Sequence, residues 1–215
     1  MTFTITVAQR KGGAGKTTIC CHLAAALAER GLKVAAIDLD DQQSLTLWAR
    51  RRLERRGLGE VALDGATSFS LAYRIRKLRS DFDVVLIDTP PTTDRRVAQA
   101  VRESDLAIAP LQLSPLDLDA SLPTARLIGA ALKPSLFVIN RAPPRARIAD
   151  LIREKIREFR LPVAKTEIGS RAAFAESLAT GRTAIEIEPS GPAAREIRML
   201  TEQVIDLAGI RLQAA

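Results

Sequence analysis

Four short stretches of this 215-residue chain are apolar from end to end: VAAI at 34–37, VVLI at 84–87, LAIA at 106–109 and LFVI at 136–139. A strand with one wet face alternates apolar and polar side chains. A strand that is apolar on both faces must be covered on both, as in a parallel sheet with helices on each side. Candidate strands at Phe3–Ala8, Lys33–Asp38, Asp83–Asp88, Leu106–Pro110, Leu136–Asn140 and Pro162–Thr166 alternate with helical patterns. Those patterns cover Lys16–Arg30, Leu45–Arg56, Ser70–Ser80, Arg95–Glu103, Leu118–Ala131, Ile148–Arg160, Ala172–Thr180 and Ala193–Ala208. The first helix sets Ile19, Leu23 and Leu27 on one stripe and meets a C-terminal stop at Gly31. Repeated strand–helix alternation predicts an α/β fold, a doubly wound and mostly parallel sheet flanked by helices. With no linker, repeat or low-complexity stretch, residues 1–215 are expected to form a single domain.

A 47% hydrophobic, 27% charged chain has enough apolar surface for a core, which excludes a disordered chain. Its apolar runs are too short to span a bilayer, and the opening TFTITVA enters a strand with no leader-like segment. A cytoplasmic location is expected. Cys20 and Cys21 are adjacent; helical neighbours point about 100° apart, so they read as two small buried residues rather than a bridge. With His22 the only histidine, no metal constellation is expected beyond the magnesium that accompanies a nucleotide. The net charge of +7 is largely arginine, with Arg50, Arg51, Arg52, Arg55 and Arg56 set against Glu54 in one stretch. Such a balance points to an acidic partner, nucleic acid before anionic membrane. Arginine on ordinary solvated helix faces accounts for it equally well.

Between the first strand and the first helix stands KGGAGKTT, Lys11 to Thr18. Backbone N–H groups of a glycine-rich turn and a helix N-terminus make an anion nest. In such a loop Lys16 reaches the β- and γ-phosphates, Thr17 offers its hydroxyl to magnesium and Thr18 bonds the α-phosphate. The common form of the motif has glycine where this chain has Arg10. Asp38 and Asp88 close two of the apolar strands, where carboxylates face the ligand crevice. Asp88 is assigned to the magnesium shell. Asp38 and Asp40 are candidates for orienting the attacking water or contacting magnesium through water, with Asp38 grouped with the metal and Asp40 with catalysis. For either one, a turn or helix cap is the plain alternative.

These motifs together resemble the ParA/MinD family of deviant Walker A ATPases, and most closely the small ParA-type partition ATPases without an N-terminal DNA-reading domain. The resemblance runs through KGGAGKTT, IDLDDQQS, LIDTPP, SDLAIAPLQLSPLDLDA, VINR and RAAFAESLATGRTAIE. It implies that Lys11 crosses a dimer interface to the partner's nucleotide, with Gly12 and Gly13 bare where the subunits meet. It adds Gly12, Gly13, Ala14 and Gly15 to the phosphate contacts, Asn140 and Arg141 as adenine-edge contacts, and Arg171 as a DNA contact. The family has proline after the second aspartate where this chain has Asp41, which leaves open whether Asp40 or Asp41 does the switching.

The implied function is a weak ATPase, with ATP and Mg2+ as cofactors, that dimerises with ATP and binds DNA without sequence preference. A ParB-like or other small adaptor would stimulate it to position a plasmid, a chromosome locus or a protein cargo on the nucleoid. The alternative is a MinD-like membrane-cycling ATPase. Its requirement is a basic amphipathic tail, whereas Ile197, Leu200, Val204 and Leu207 form a stripe with no flanking basic cluster. A metabolic enzyme on the same scaffold is a third class, lacking the separated cysteines a reductase needs.

Overall fold

The computed structural model describes residues 2–55, 58–65, 70–92, 95–143 and 147–210. Its strands are β1 (Phe3–Val7), β2 (Val34–Asp38), β3 (Val61–Gly65), β4 (Val84–Asp88), β5 (Leu106–Leu111), β6 (Ser135–Ala142) and β7 (Ile168–Gly169). The helices are α1 (Lys16–Glu29), α2 (Ser44–Leu53), α3 (Leu71–Leu78), α4 (Arg95–Glu103), α5 (Pro115–Ala130), α6 (Arg147–Glu158), α7 (Ala172–Ala179), α8 (Ala184–Ile187) and α9 (Pro192–Ala208).

All seven strands run parallel in one sheet, in the order β3-β2-β4-β1-β5-β6-β7. Strand order reverses next to β1, where a doubly wound sheet opens its ligand crevice. Register completes the placement: Asp88 pairs with Asp38 on one side and with Val7 on the other. The two carboxylates and the exit of β1 therefore arrive at one edge together.

Helix α1 lies in the middle of one face, with Ile19, Cys20, Cys21, Leu23, Ala24, Ala25 and Leu27 at most 2% exposed. A helix apolar on nearly every side is a core helix, and its alanines let α9 approach closely. Cys20 and Cys21 are free, and burial pushes both thiols well above their usual range, so they stay protonated. On the other face Ala35, Ile37, Val85 and Ile87 pack under Leu71 and Ile75 of α3. Among the described residues no helix is long and apolar enough to cross a membrane.

The structure departs from the sequence expectation at β7, which lies beyond the last expected strand, and in three further elements. The edge strand β3 is an addition: its apolar run in VALDG stops after three residues at Asp64 and Gly65. The strand expected at Pro162–Thr166 reduces to one bridge between Val163 and Phe137. Proline has no N–H to add to a ladder, and the N–H of Lys165 donates to Gln203 of α9 instead of to β6. Helix α8 is a single turn, closed by a capping box between Thr183 and Glu186.

Arg52 changes category altogether. Expected within a solvated basic run, it is 4% exposed, donates Nη1 and Nη2 to both oxygens of Glu186 and Nε to the Gly59 carbonyl, and stacks on Trp48. It joins α2 to α8. Arg50, Arg51 and Arg55 remain at the surface, and Arg56 lies outside the described residues.

His22 is fully buried, with Nδ1 on the Thr18 carbonyl, Nε2 facing the Ser177 hydroxyl, and its ring edge-on to Phe174 at 5.1 Å. Burial lowers its pKa from 6.5 to about 4, against the opposing pull of the Thr18 carbonyl and Glu186. A lowered histidine pKa gives stability that is whole above pH 6.5 and lost as pH falls toward 4. Measured against His22→Gln, the wild-type protein should lose about 3 kcal/mol more stability across that window. Urea denaturation of both proteins at several pH values reads the difference.

Candidate nucleotide site

The chain leaves β1 at Val7, and the loop that follows is anchored before it turns. The buried Gln9 donates Nε2 to the Pro110 carbonyl, while its Oε1 accepts from the Thr124 hydroxyl and the Arg10 N–H. Gly13 and Gly15 then take φ of 73° and 95°, values that side chains rarely tolerate. At Gly15 an added Cβ would also collide with the Asn140 amide. Helix α1 begins at Lys16 with no side-chain cap and no acidic residue in its first turn. The positive end of its dipole is thus left for an external anion.

Gly12, Gly13, Gly15, Lys16, Thr17 and Thr18 line a cavity of about 220 Å3 with Asp40, Pro91 and Arg141. A second cleft of about 270 Å3 shares Thr18 and Arg141 with it and runs past Asn140 and Arg171 to Phe174 of α7. A phosphate-sized recess thus continues into a space bounded by an aromatic ring. A wider cavity bordered by Thr2, Asp83 and Asp105 lies at the opposite ends of the strands, where both carboxylates are held by backbone N–H groups.

Lys16 is 6% exposed, and burial lowers its pKa while Asp88 and Asp40 hold it up. Asp88 is fully buried, and burial pushes its carboxyl to about 7, with Asp38 and Asp40 adding to the shift and the Thr17 hydroxyl opposing it. The Thr17 hydroxyl donates to Asp88 Oδ2 at 2.6 Å, while Oδ1 has no hydrogen-bond partner among the described residues. A hydroxyl and a carboxylate with one unsatisfied buried oxygen form a hard-oxygen set that suits magnesium. Asp38 is differently occupied: its carboxylate accepts from the N–H groups of Asp40 and Thr46 and from the Thr46 hydroxyl. In this structure it braces the turn into α2. Asp40 faces the phosphate cavity, whereas Asp41 turns outward to Arg96.

The remaining sequence candidates fall in three places. Lys11 stands outside the cavity with its ammonium 2.5 Å from Asp117 in the first turn of α5. Asn140 donates Nδ2 to the Ala14 carbonyl at 2.7 Å, so it touches the loop itself. Arg141, at φ 54° in a bulge of β6, borders both clefts. Arg171 lies in the wall of the second cleft, its guanidinium held by Glu196 of α9. Sequence reasoning passed over Gln9, Gln112 and Asp117. The signal for Gln112 was its place just beyond a strand's C-terminal end, where side chains face the crevice.

A strand, a glycine turn with a buried lysine and a strand-end carboxylate at a sheet reversal define an α/β P-loop nucleotide-binding protein. The sequence profile of the "CobQ/CobB/MinD/ParA nucleotide binding domain" matches residues 5–184, and the chain belongs to that family. Its relatives include the Maintenance of carboxysome distribution protein A of Halothiobacillus neapolitanus, 30% identical over 210 residues that cover 94% of this chain and 96% of that protein. The chromosome-partitioning ATPase Soj of Thermus thermophilus is 28% identical, over 94% of each chain. The septum site-determining protein MinD of Pyrococcus horikoshii, solved with Mg-ADP, superposes with a TM-score of 0.80 over 97% of this chain and 98% of that one, at 23% identity. That last likeness is one of fold.

Lys16→Ala should weaken nucleotide affinity at least about thirtyfold, the worth of a charge-assisted hydrogen bond. Asp88→Asn keeps the side chain's shape and should retain nucleotide while losing magnesium dependence. Calorimetric titration of both variants with and without magnesium checks the pair.

Proposed function

We propose that the chain is a positioning ATPase switched by ATP, weakly active alone and stimulated by a small ParB-like or other adaptor. The observation that carries this reading is Lys11. Lys16 already supplies the phosphate cavity with a cation, and Lys11 holds a second one outside it, 40% exposed beside the bare Gly12–Gly13 step. A cation in that place serves a second phosphate site brought face to face with the first, as a finger supplied in trans does. Leaving Asp117 for the partner's nucleotide would then mark dimer formation.

Magnesium would be held by Thr17 and Asp88, where it supplies charge neutralisation to the transferring phosphoryl group. Lys16 would clamp the phosphates, and Asp40, on the cavity wall, would orient the attacking water. Asp38 would keep Asp40 in place through its N–H.

Non-specific DNA is the partner that the net charge of +7 favours, with the ATP dimer doubling the number of phosphate contacts. Exposed arginines, Arg50, Arg51 and Arg182 among them, are available for it; Arg171 would contribute only by giving up Glu196. Plasmid, chromosome and protein cargo all suit the switch, and the relatives named for carboxysome distribution and chromosome partitioning cover two of them. A membrane-cycling role is less favoured, because Ile197, Leu200 and Val204 of α9 are buried in the core with α1. Leu207, expected on the same stripe, is exposed.

ATP, and not ADP, should convert monomer to dimer in light scattering, and Lys11→Ala should stop the conversion while leaving ATP affinity within about twofold, since Lys11 lies outside the cavity. A mutant that dimerises normally returns Lys11 to a surface ion pair. DNA affinity of the ATP state should fall with salt at a logarithmic slope of about 0.9 per phosphate contact. Filter binding of unrelated duplexes across a salt series measures it, and equal binding with ADP removes the DNA switch.

A further inference from the structure

The anion nest is held open by two side-chain amides, one of which the family resemblance assigns to the adenine edge. Asn140, at the end of β6, donates Nδ2 to the Ala14 carbonyl at 2.7 Å. Gln112, one residue beyond β5, donates Nε2 to the Gly13 carbonyl at 3.0 Å. The two acceptors are consecutive peptide units of the loop.

In a planar trans peptide the C=O and the N–H point in opposite directions. Fixing the Gly13 carbonyl therefore fixes the Ala14 N–H, and fixing the Ala14 carbonyl fixes the Gly15 N–H. Neither N–H donates a hydrogen bond to another described residue. Gly13 and Gly15 both sit at positive φ, where glycine has many other conformations open to it. A loop with that freedom loses much of its affinity to ordering unless something outside it sets the peptide planes.

We propose that Asn140 and Gln112 are positioning residues that lock these two peptide planes, so that the Ala14 and Gly15 N–H groups face the phosphates before nucleotide arrives. The inference rests on the nucleotide reading above and deepens it. The ligand recognised through these amides is the polyphosphate, whatever base is attached to it. For Asn140, loop positioning is added to any base contact, because one Nδ2 N–H is taken by the Ala14 carbonyl. The amide also packs so closely against Gly15 that no side chain fits there.

The test uses magnesium tripolyphosphate beside Mg·ATP, titrated into the full-length protein by calorimetry. Gln112→Met and Asn140→Leu keep approximate shape and remove the donor, and Gln112 is only half-buried, so the change there does not disturb the core. Each variant should bind both probes about three- to tenfold more weakly, the value of one neutral hydrogen bond, and Gln112→Met by the same factor for the two probes. A variant that loses ATP affinity but keeps tripolyphosphate affinity is a base reader, which overturns the assignment for that residue. Variants that bind both probes like wild type overturn it for both residues. Thermal melting of Asn140→Leu separates a damaged fold from a disordered loop, and Gln112→Met carries the test alone if Asn140→Leu does not fold. Wild-type protein that binds neither probe would overturn the nucleotide reading, and this inference with it.

Discussion

The corner where β1 gives way to α1 buries a lysine beside a carboxylate, one oxygen of which has no hydrogen-bond partner among the described residues. Water is excluded from Lys16 and Asp88, and each has its pKa pulled toward the neutral form by that exclusion. A core assembled for stability alone would not keep an unpaired Asp88 oxygen next to an uncapped helix end. The cost is tolerated because the missing partners come from outside: an anion for the helix end and a cation for the carboxylate. Sheet register, the side-chain amides on the loop carbonyls and the all-round burial of α1 keep this corner in place to wait for them.

Much of this was legible in the sequence because it depends on local pattern. Four continuous apolar quartets demanded a sheet covered on both faces, and each of them became a buried parallel strand. KGGAGKTT declared a loop, and Asp88 followed from its place at a strand end. What stayed hidden depends on contacts far apart in the chain. Arg52 and Glu186 are separated by 134 residues, so a run of arginines read as solvated surface contained one residue of the interior. Gln112 reaches a loop 99 residues away; its place beyond a strand end puts it at the crevice but does not name the carbonyl it meets. VALDG has an apolar run of only three residues, yet β2 supplies it with a full register of partners.

The three aspartates of DLDD separate by geometry. Asp38 is spent on holding a turn, Asp40 faces the phosphate cavity, and Asp41 meets Arg96 on the surface. Asp41 opens the turn that Gln43 closes by donating its N–H to the Asp40 carbonyl, and its side chain leaves on the side away from the cavity that Asp40 lines. The replacement of the family's proline by Asp41 therefore falls on the side away from the phosphates.

The Arg52–Glu186 pair has a mechanical consequence. It bolts the far end of α2 to α8, Trp48 adds a bond from Nε1 to the Arg182 carbonyl, and Gly181 lies so close that a Cβ there would be 2.6 Å from the backbone of Arg51. The near end of α2 hangs from Asp38 through Thr46. With both ends fastened, the helix cannot slide as a piston. The connection from β2 to this helix is the turn Leu39–Gln43, which ends in a residue at φ 51°. A change at the phosphate end thus has one short outlet, and it would emerge as a reorientation of Asp40 and Asp41 over a few ångströms of surface.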